Sequence, residues 1–211
     1  MWGRGMKSVF YVIIRTLLVI PAKLLFRVKV VGRKNEPKRA EGPYLVCGNH
    51  QTVLDPVFLC VALRRQQPHF MAKAELFRVP VLKHLVRWLG AYPVSRGKGD
   101  VGAIKRTIKL LENGYSVGMF PQGTRCAGKD PRDCRVKTGA AMIAAHAGAQ
   151  ILPVHIKMKN YTWKFFRRVT VVIGEPIPFE SFAYDSEQQG EYARISEAVY
   201  AEICRLGDTV K

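Results

Sequence analysis

The alternation of short β-rich runs with helical patterns constrains this chain's fold more than any other sequence feature. Six runs rich in β-branched and aromatic residues are predicted strands: 27–31, 44–47, 91–94, 117–120, 151–156 and 169–173. Strands that alternate with helices are typical of α/β proteins, and 211 residues with 48% hydrophobic content suffice for one core. We predict a single α/β domain over residues 36–211, with a mixed, largely parallel sheet flanked by helices.

Three helices are predicted from apolar spacing. The first is indicated by Val101, Ile104, Ile108 and Leu111, which recur at helical intervals. Asp100 is its expected N-cap, and Gly114 is expected to end it. Small residues favour a second helix over residues 138–147, and apolar spacing favours a third around residues 195–203.

Residues 1–35 are predicted to form a separate membrane-associating helical segment. Their apolar run, residues 10–26, is interrupted by Arg15, Pro21 and Lys23, so its longest uncharged stretch is shorter than a spanning helix requires. We expect a helix that lies in the membrane interface, with Arg15 and Lys23 reaching towards phosphates. The alternative is a buried core helix of a soluble protein.

The charge of the chain predicts an anionic partner. Lys and Arg number 34 against 16 Asp and Glu, which gives a formal charge of +18. No zinc-finger, RNP-like or basic-zipper pattern supports nucleic acid as that partner. Basic and aromatic residues interleave at 163–168, which fits an anionic membrane surface and, as an alternative from another function class, a non-catalytic lipid binder. We expect a peripheral or monotopic protein on the cytoplasmic face of the cell membrane.

The cysteines indicate neither a disulfide framework nor a zinc site. Five of them are scattered without C-x-x-C spacing, and reduced thiols in a cytosolic compartment are the simplest interpretation. Cys126 and Cys134 form the nearest pair, and His146 does not complete a ligand set. We therefore predict no metal and no cofactor.

A histidine and an aspartate follow the predicted strand 44–47. His50 and Asp55 lie where the carboxyl ends of parallel strands leave a crevice. They suit an acid/base dyad: Asp55 accepts from one imidazole nitrogen, and the other nitrogen takes a proton from a hydroxyl that attacks a thioester directly. Alternatively, Asp55 caps a helix over residues 56–64, and the two roles do not exclude each other.

A second group of polar residues follows the predicted strand 117–120. In the sequence Phe-Pro-Gln-Gly-Thr-Arg, residues 120–125, Gly123 permits close backbone approach and Arg125 offers a planar fork for phosphate. Lys73 and Arg96 also follow short apolar segments, so three cations are predicted to share one phosphate pocket. The alternative is a tight turn with solvated surface charges. Residues 126–135 are polar and are predicted to form a mobile loop.

These residues together resemble a known family, the glycerolipid acyltransferases, which includes the 1-acyl-glycerol-3-phosphate acyltransferases. The resemblance covers roughly residues 44–154. Its elements occur in the family's order: Asn49-His50 with Asp55, Ala72-Lys73 with Glu75-Leu76, Gly90 with Arg96, Phe120-Pro121 with Gly123-Thr124-Arg125, and Leu152-Pro153-Val154.

The resemblance implies a metal-free transfer of an acyl chain from acyl-CoA or acyl carrier protein to a lysophospholipid acceptor. It implies that His50 is the general base and Asp55 its orienting partner. It also implies an acceptor site composed of Lys73, Arg96, Gln122, Gly123, Thr124 and Arg125, and a structural strand near the acyl pocket at Pro153. The family usually has Glu where this chain has Gln122, so glycerol-3-phosphate or a lyso amino lipid is an alternative acceptor.

Overall fold

The computed structural model describes residues 9–94 and 101–210, and its centre is one seven-stranded sheet. The strands are β1 (Lys29–Val31), β2 (Tyr44–Gly48), β3 (His69–Lys73), β4 (Ala91–Val94), β5 (Val117–Met119), β6 (Gln150–Met158) and β7 (Val169–Ile173). They lie in the order β1-β7-β6-β2-β5-β3-β4. Every neighbouring pair is parallel except β6 with β7. The prediction of a mixed, largely parallel sheet is confirmed.

Helices cover both faces of this sheet. They are α1 (Val9–Phe26), α2 (Asp55–Ala62), α3 (Pro80–Trp88), α4 (Val101–Glu112), α5 (Gly139–Ala147) and α6 (Glu191–Asp208). Alternate residues of β2 point to opposite faces, so Val46 packs in a core with α1 and α2, whereas Leu45 packs in a core with α4, α5 and α6. The three helices predicted from spacing are present, and Gly114 ends α4 with φ 80°. The expected cap Asp100 lies outside the described residues.

Two elements were absent from the predictions, and both are only partly buried. In β3 a single residue, Phe70, is buried, and α3 contains no buried residue. Strand β3 is a run of only five residues with no clear alternation. The sequence of α3 does carry helix signals, since Leu82, Leu85 and Leu89 recur at helical spacing. Pro80 also occupies the first turn, where proline favours a helix.

The N-terminal helix α1 is mostly uncovered by protein. Only Tyr11 and Ala22 are buried, whereas seven apolar side chains are exposed: Val9, Phe10, Val12, Ile13, Leu17, Ile20 and Leu24. The alternative of a buried core helix therefore does not describe it. Its length and composition are sufficient for a helix that crosses a membrane.

The prediction that Arg15 of α1 reaches towards lipid phosphates is wrong. The Arg15 side chain donates to the carbonyls of Cys60 and Val61, at 2.9 and 3.2 Å, so it caps the last turn of α2. This cation fastens α1 to the domain instead of reaching phosphates. Strand β1 falls within the predicted segment 1–35 and pairs with β7, so the sheet extends into that segment.

A buried glutamate connects the residues before β2 to the residues after α2. Glu36 is 1% exposed and accepts from the backbone N–H groups of Arg64 and Arg65, both at 2.7 Å. Its carboxylate also accepts from the Tyr44 hydroxyl at 2.9 Å. Burial raises the pKa of Tyr44 well above its usual range, so this phenol remains a donor. Glu36 thereby secures the start of β2, the strand that leads to the candidate site.

Replacing Glu36 with Ala should destabilise the fold, because several buried donors lose their acceptor. We expect the free energy of unfolding to fall by about 2–4 kcal/mol. Glu36→Gln should cost roughly half as much, since one oxygen remains to accept. Thermal unfolding of the three proteins in the same detergent measures the difference. Equal melting temperatures for Glu36→Ala and the wild type would contradict this role.

Candidate active site

Two loops that carry polar residues leave the sheet side by side. Strands β2 and β5 are adjacent and parallel, with Cys47 opposite Met119. The residues after β2 and the residues after β5 therefore emerge at the same carboxyl edge of the sheet. This register brings His50 next to residues 120–125.

His50 and Asp55 form a buried pair. The imidazole Nδ1 lies 2.7 Å from Asp55 Oδ2, and the two residues are 8% and 0% exposed. Because an ionised carboxylate only accepts hydrogen bonds, Nδ1 carries the proton and donates a hydrogen bond to Asp55. The second ring nitrogen, Nε2, is then a proton acceptor, and it has no hydrogen bond to another described residue. A histidine in this tautomer is prepared to act as a general base.

The carboxylate of Asp55 also closes the turn that leads from His50 to α2. Oδ2 accepts from the backbone N–H groups of Gln51 and Thr52 at 2.6 and 2.8 Å. Oδ1 accepts from the Thr52 hydroxyl at 2.9 Å. The predicted capping role is wrong in detail: α2 begins at Asp55, and its cap position is Leu54, which makes no side-chain cap hydrogen bond. The Asp55 side chain instead accepts from residues that precede α2.

The second loop holds the main chain of His50 from both sides. The His50 N–H donates to Gln122 Oε1, and the Cys126 N–H donates to the His50 carbonyl at 2.8 Å. The ring of Phe120 stacks on the imidazole at 4.1 Å between centroids. Gln122 is 2% exposed, and its Nε2 has no partner among the described residues. The side chain expected to contact the acceptor is thus engaged with the histidine backbone.

Asn49 joins the end of β2 to β6. Its Nδ2 donates to the Ile156 carbonyl at 3.0 Å, and its Oδ1 accepts from the Ile156 N–H at 2.7 Å. This pair of bonds reproduces the pattern of a strand ladder where β2 has ended. The sequence indicates Asn49 only as part of a motif, since no local pattern points to a partner in β6.

The exposed cations of the site belong to the loop after β5 and to the start of α5. Thr124 and Arg125 are exposed, and neither side chain bonds to another described residue. Gly123 has φ 68°, and a Cβ at this position would lie 3.0 Å from Lys137 Nζ. The Lys137 N–H also donates to the Pro121 carbonyl at 2.8 Å. Lys137 was missed in the sequence, where it stands alone without a motif.

Of the other two predicted phosphate ligands, only Lys73 is among the described residues, and no contact joins it to His50. Lys73 is exposed at the end of β3, on the same edge of the sheet. Since β5 lies between β3 and β2, Lys73 is displaced from the His50 strand by about 10 Å, twice the usual strand spacing. Arg96 lies outside the described residues.

The segment 126–135, predicted to be a mobile loop, is anchored at several points. The Tyr161 hydroxyl donates to Asp130 Oδ2 at 2.6 Å, and the Tyr200 hydroxyl donates to the Pro131 carbonyl at 3.1 Å. Arg132 pairs with Asp208 at 2.5 Å. These contacts support the residues that follow Arg125.

Three of the five cysteines are poorly suited to act as nucleophiles. Burial raises the pKa of Cys47 and Cys60 to about 12 and that of Cys134 to about 11. Thiols with such pKa values are protonated at neutral pH and react poorly. Within residues 9–94 and 101–210, no group of three or more His, Cys, Asp or Glu side chains could hold a metal ion.

Comparison with known proteins gives consistent matches. The family model described as Acyltransferase matches residues 27–157. The 1-acyl-sn-glycerol-3-phosphate acyltransferase of Bacillus subtilis is 31% identical over 85% of this chain and 87% of that protein. The Streptococcus pneumoniae protein of the same name is 31% identical over 80% of this chain and 62% of its own length.

A solved structure also matches. The crystal structure of the 1-acyl-sn-glycerophosphate (LPA) acyltransferase PlsC from Thermotoga maritima superposes with a TM-score of 0.69 and 25% identity. The match covers 92% of this chain and 79% of that one. Nearly the whole chain therefore shares the fold of that protein.

Asp55→Asn should remove most acyl-transfer activity. The amide keeps the shape of the side chain but presents an NH₂ group to donors, so the imidazole loses its tautomer and orientation. We expect turnover to fall by about 10²–10⁴-fold, measured as initial rates of acyl transfer. Thr52→Val removes the other side-chain donor to Asp55 and should cost less than about tenfold. Equal losses in the two variants would contradict a special role for the His50–Asp55 bond.

Proposed function

Because this chain belongs to the acyltransferase family, we propose that it transfers an acyl chain from a carrier thioester to the free hydroxyl of 1-acyl-sn-glycerol-3-phosphate. The product is phosphatidic acid. One observation carries the proposal: a buried His50–Asp55 pair leaves Nε2 open beside a loop that carries the exposed Arg125. Relatives that match most of the chain bear the name of this activity.

The proposed mechanism uses no covalent enzyme intermediate. His50 Nε2 takes the proton of the acceptor hydroxyl, and the oxygen attacks the thioester carbonyl carbon. The tetrahedral intermediate collapses, the carbon–sulfur bond breaks, and the leaving thiolate takes the proton from the imidazolium. Asp55 stabilises the imidazolium through Nδ1 and keeps Nε2 directed at the substrate. The raised pKa values of Cys47 and Cys134 support a mechanism in which neither of these thiols is the nucleophile.

The acceptor's phosphate is proposed to bind near residues 123–125. Arg125 offers an unpaired guanidinium, and Lys137 holds its ammonium group over Gly123. A phosphate between these cations gains charge-assisted hydrogen bonds. Thr124 borders the same site, and Lys73 and Arg96 are proposed as further contacts to the acceptor.

Gln122 is proposed to position the base instead of binding the acceptor. Its oxygen accepts from the His50 N–H in a region where both residues are buried. A glutamate, the usual residue of the family, would offer the same acceptor. The His50 backbone therefore needs an oxygen at this position and does not need a charge.

The donor is proposed to be acyl-CoA or acyl carrier protein. Both present the same thioester to Nε2, and the chemistry of the site does not distinguish them. The chain is further proposed to work at the cytoplasmic face of the membrane as a peripheral or monotopic protein. The exposed apolar side of α1 supports this placement, as does the absence of any Asp or Glu before Glu36.

Thiol release from acyl-CoA tests the reaction. Purified protein in detergent should release thiol only when 1-acyl-sn-glycerol-3-phosphate is present, and His50→Ala should lower the rate by about 10²–10⁴-fold. The same assay with acyl carrier protein as donor, and with glycerol-3-phosphate as acceptor, identifies the preferred substrates. Failure of every donor and acceptor would favour a non-catalytic lipid binder.

The phosphate site predicts a specific kinetic change. Arg125→Ala and Lys137→Ala should each raise the KM for the acceptor by about tenfold, because each removes a charge-assisted contact, with little change in kcat. Lys109→Ala is the matched control, since α4 runs back from the carboxyl edge and places this exposed lysine at the far end of the sheet. An unchanged acceptor KM in both site variants would contradict a phosphate site at this position.

Variants of Gln122 separate positioning from acceptor binding. Gln122→Met removes the oxygen that accepts from His50 and should lower kcat by about tenfold to a hundredfold at an unchanged acceptor KM. Gln122→Glu keeps the oxygen and should retain kcat within a few fold. If both variants change mainly the acceptor KM, Gln122 contacts the acceptor and the positioning role is wrong.

A further inference from the structure

A cluster of exposed aromatic residues lies on the same side of the molecule as the candidate site. We call residues 162–168, Thr-Trp-Lys-Phe-Phe-Arg-Arg, the aromatic loop. It lies between β6 and β7, and β6 runs parallel to β2. The aromatic loop therefore emerges at the carboxyl edge from which His50 also emerges.

The aromatic rings of this loop point largely into solvent. Trp163, Phe165 and Phe166 are 37%, 56% and 68% exposed. Phe166 also has φ 62°, a left-handed conformation that a bulky residue rarely adopts. A side chain that stays mostly exposed gains little burial to offset this strain in water. The exposed position of the ring is therefore better explained by a partner than by folding alone.

The aromatic loop is joined to the end of α1. The Phe166 N–H donates to the Leu25 carbonyl at 2.5 Å. The Phe26 ring lies 5.8 Å from Trp163 and 5.6 Å from Phe165. The exposed apolar side of α1 has members at positions 10, 13, 17, 20 and 24, which repeat at helical spacing and form one stripe. The stripe and the aromatic loop thus form one continuous surface.

The charged residues of the aromatic loop are all cations, and the Asp130 carboxylate beside its start is bonded to the Tyr161 hydroxyl. Lys164, Arg167 and Arg168 interleave with the aromatic residues, and no Asp or Glu occurs between Asp133 and Glu175. Arg27 and Lys29 follow α1 directly. Aromatic residues prefer the headgroup region of a bilayer, and each nearby cation is attracted by anionic lipid.

We infer that the aromatic loop is a second membrane contact, which inserts its rings at headgroup depth in an anionic bilayer and holds the mouth of the active site against the lipid surface. Val53, inside the turn between His50 and Asp55, is 62% exposed and extends the apolar surface to the catalytic residues. This inference rests on the proposed function, because only a lipid acceptor requires the site to face the bilayer. The alternative partner is an acidic protein such as an acyl carrier protein.

Two comparisons of activity test the inference with the whole chain of 211 residues. Phe166→Gly removes an exposed ring and relieves the left-handed strain, so it should not lower the melting temperature. It should reduce turnover of long-chain acceptor in phosphatidylglycerol vesicles by about tenfold. Turnover of a short-chain, water-soluble acceptor should stay unchanged. Equal rates on vesicles for the variant and the wild type would overturn the inference.

Two lysines of α4 provide a matched control for the cations of the aromatic loop. Lys164→Ala with Arg168→Ala should lower vesicle turnover by about tenfold or more when the vesicles contain phosphatidylglycerol, and less when they are phosphatidylcholine alone. Lys105→Ala with Lys109→Ala, on α4, removes the same charge and should have no such effect. If both pairs lower the rate equally, net charge and not the aromatic loop is responsible.

Fluorescence locates the loop directly. The chain has three tryptophans, so Trp2→Phe with Trp88→Phe leaves Trp163 as the reporter. Brominated phospholipids in the vesicles should quench its emission, and unbrominated ones should not. An unquenched Trp163, together with a raised KM for acyl carrier protein in the Lys164→Ala and Arg168→Ala variant, would assign the loop to a protein partner. Absence of turnover with every acceptor would refute the proposed function, whereas loop insertion would still be decided by quenching.

Discussion

The carboxylate of Asp55 is the interaction on which the candidate site depends. It is completely buried, and it accepts from two backbone N–H groups, one hydroxyl and the His50 imidazole. These donors replace the water that the anion loses, so its burial does not leave an unsatisfied charge. The same contacts close the turn and orient the base. Folding of residues 50–55 and selection of the His50 tautomer are therefore one event.

Contacts with distant parts of the chain hold this turn through two of its neighbours, Asn49 and His50. Gln122 accepts from the His50 N–H, and Asn49 bonds twice to Ile156 in β6. The loop after β5 thus holds the His50 backbone and also carries the exposed Arg125, the proposed ligand of the acceptor's phosphate. One motif can serve both purposes because the parallel register of β2 and β5 brings its residues to the His50 backbone.

The distribution of apolar surface relates the site to its substrate. The stripe on α1 and the aromatic loop both lie outside the two cores, although their side chains are as apolar as those inside. A soluble protein rarely leaves so large an apolar surface uncovered. The arrangement is consistent with an enzyme whose acceptor stays in the bilayer while the hydroxyl reaches Nε2.

The sequence by itself determined the class of fold, six of the seven strands, five of the six helices and the pairing of His50 with Asp55, because each depends on neighbours within a few residues along the chain. Only the tertiary structure decided what lies far apart in sequence. Gln122 and His50 are separated by 72 residues, Asn49 and Ile156 by 107, and Arg15 caps α2 from 45 residues away. Such contacts follow from strand order and register, which local periodicity does not encode. The exposure of the aromatic loop belongs to the same class, since burial is a property of the assembled sheet and helices.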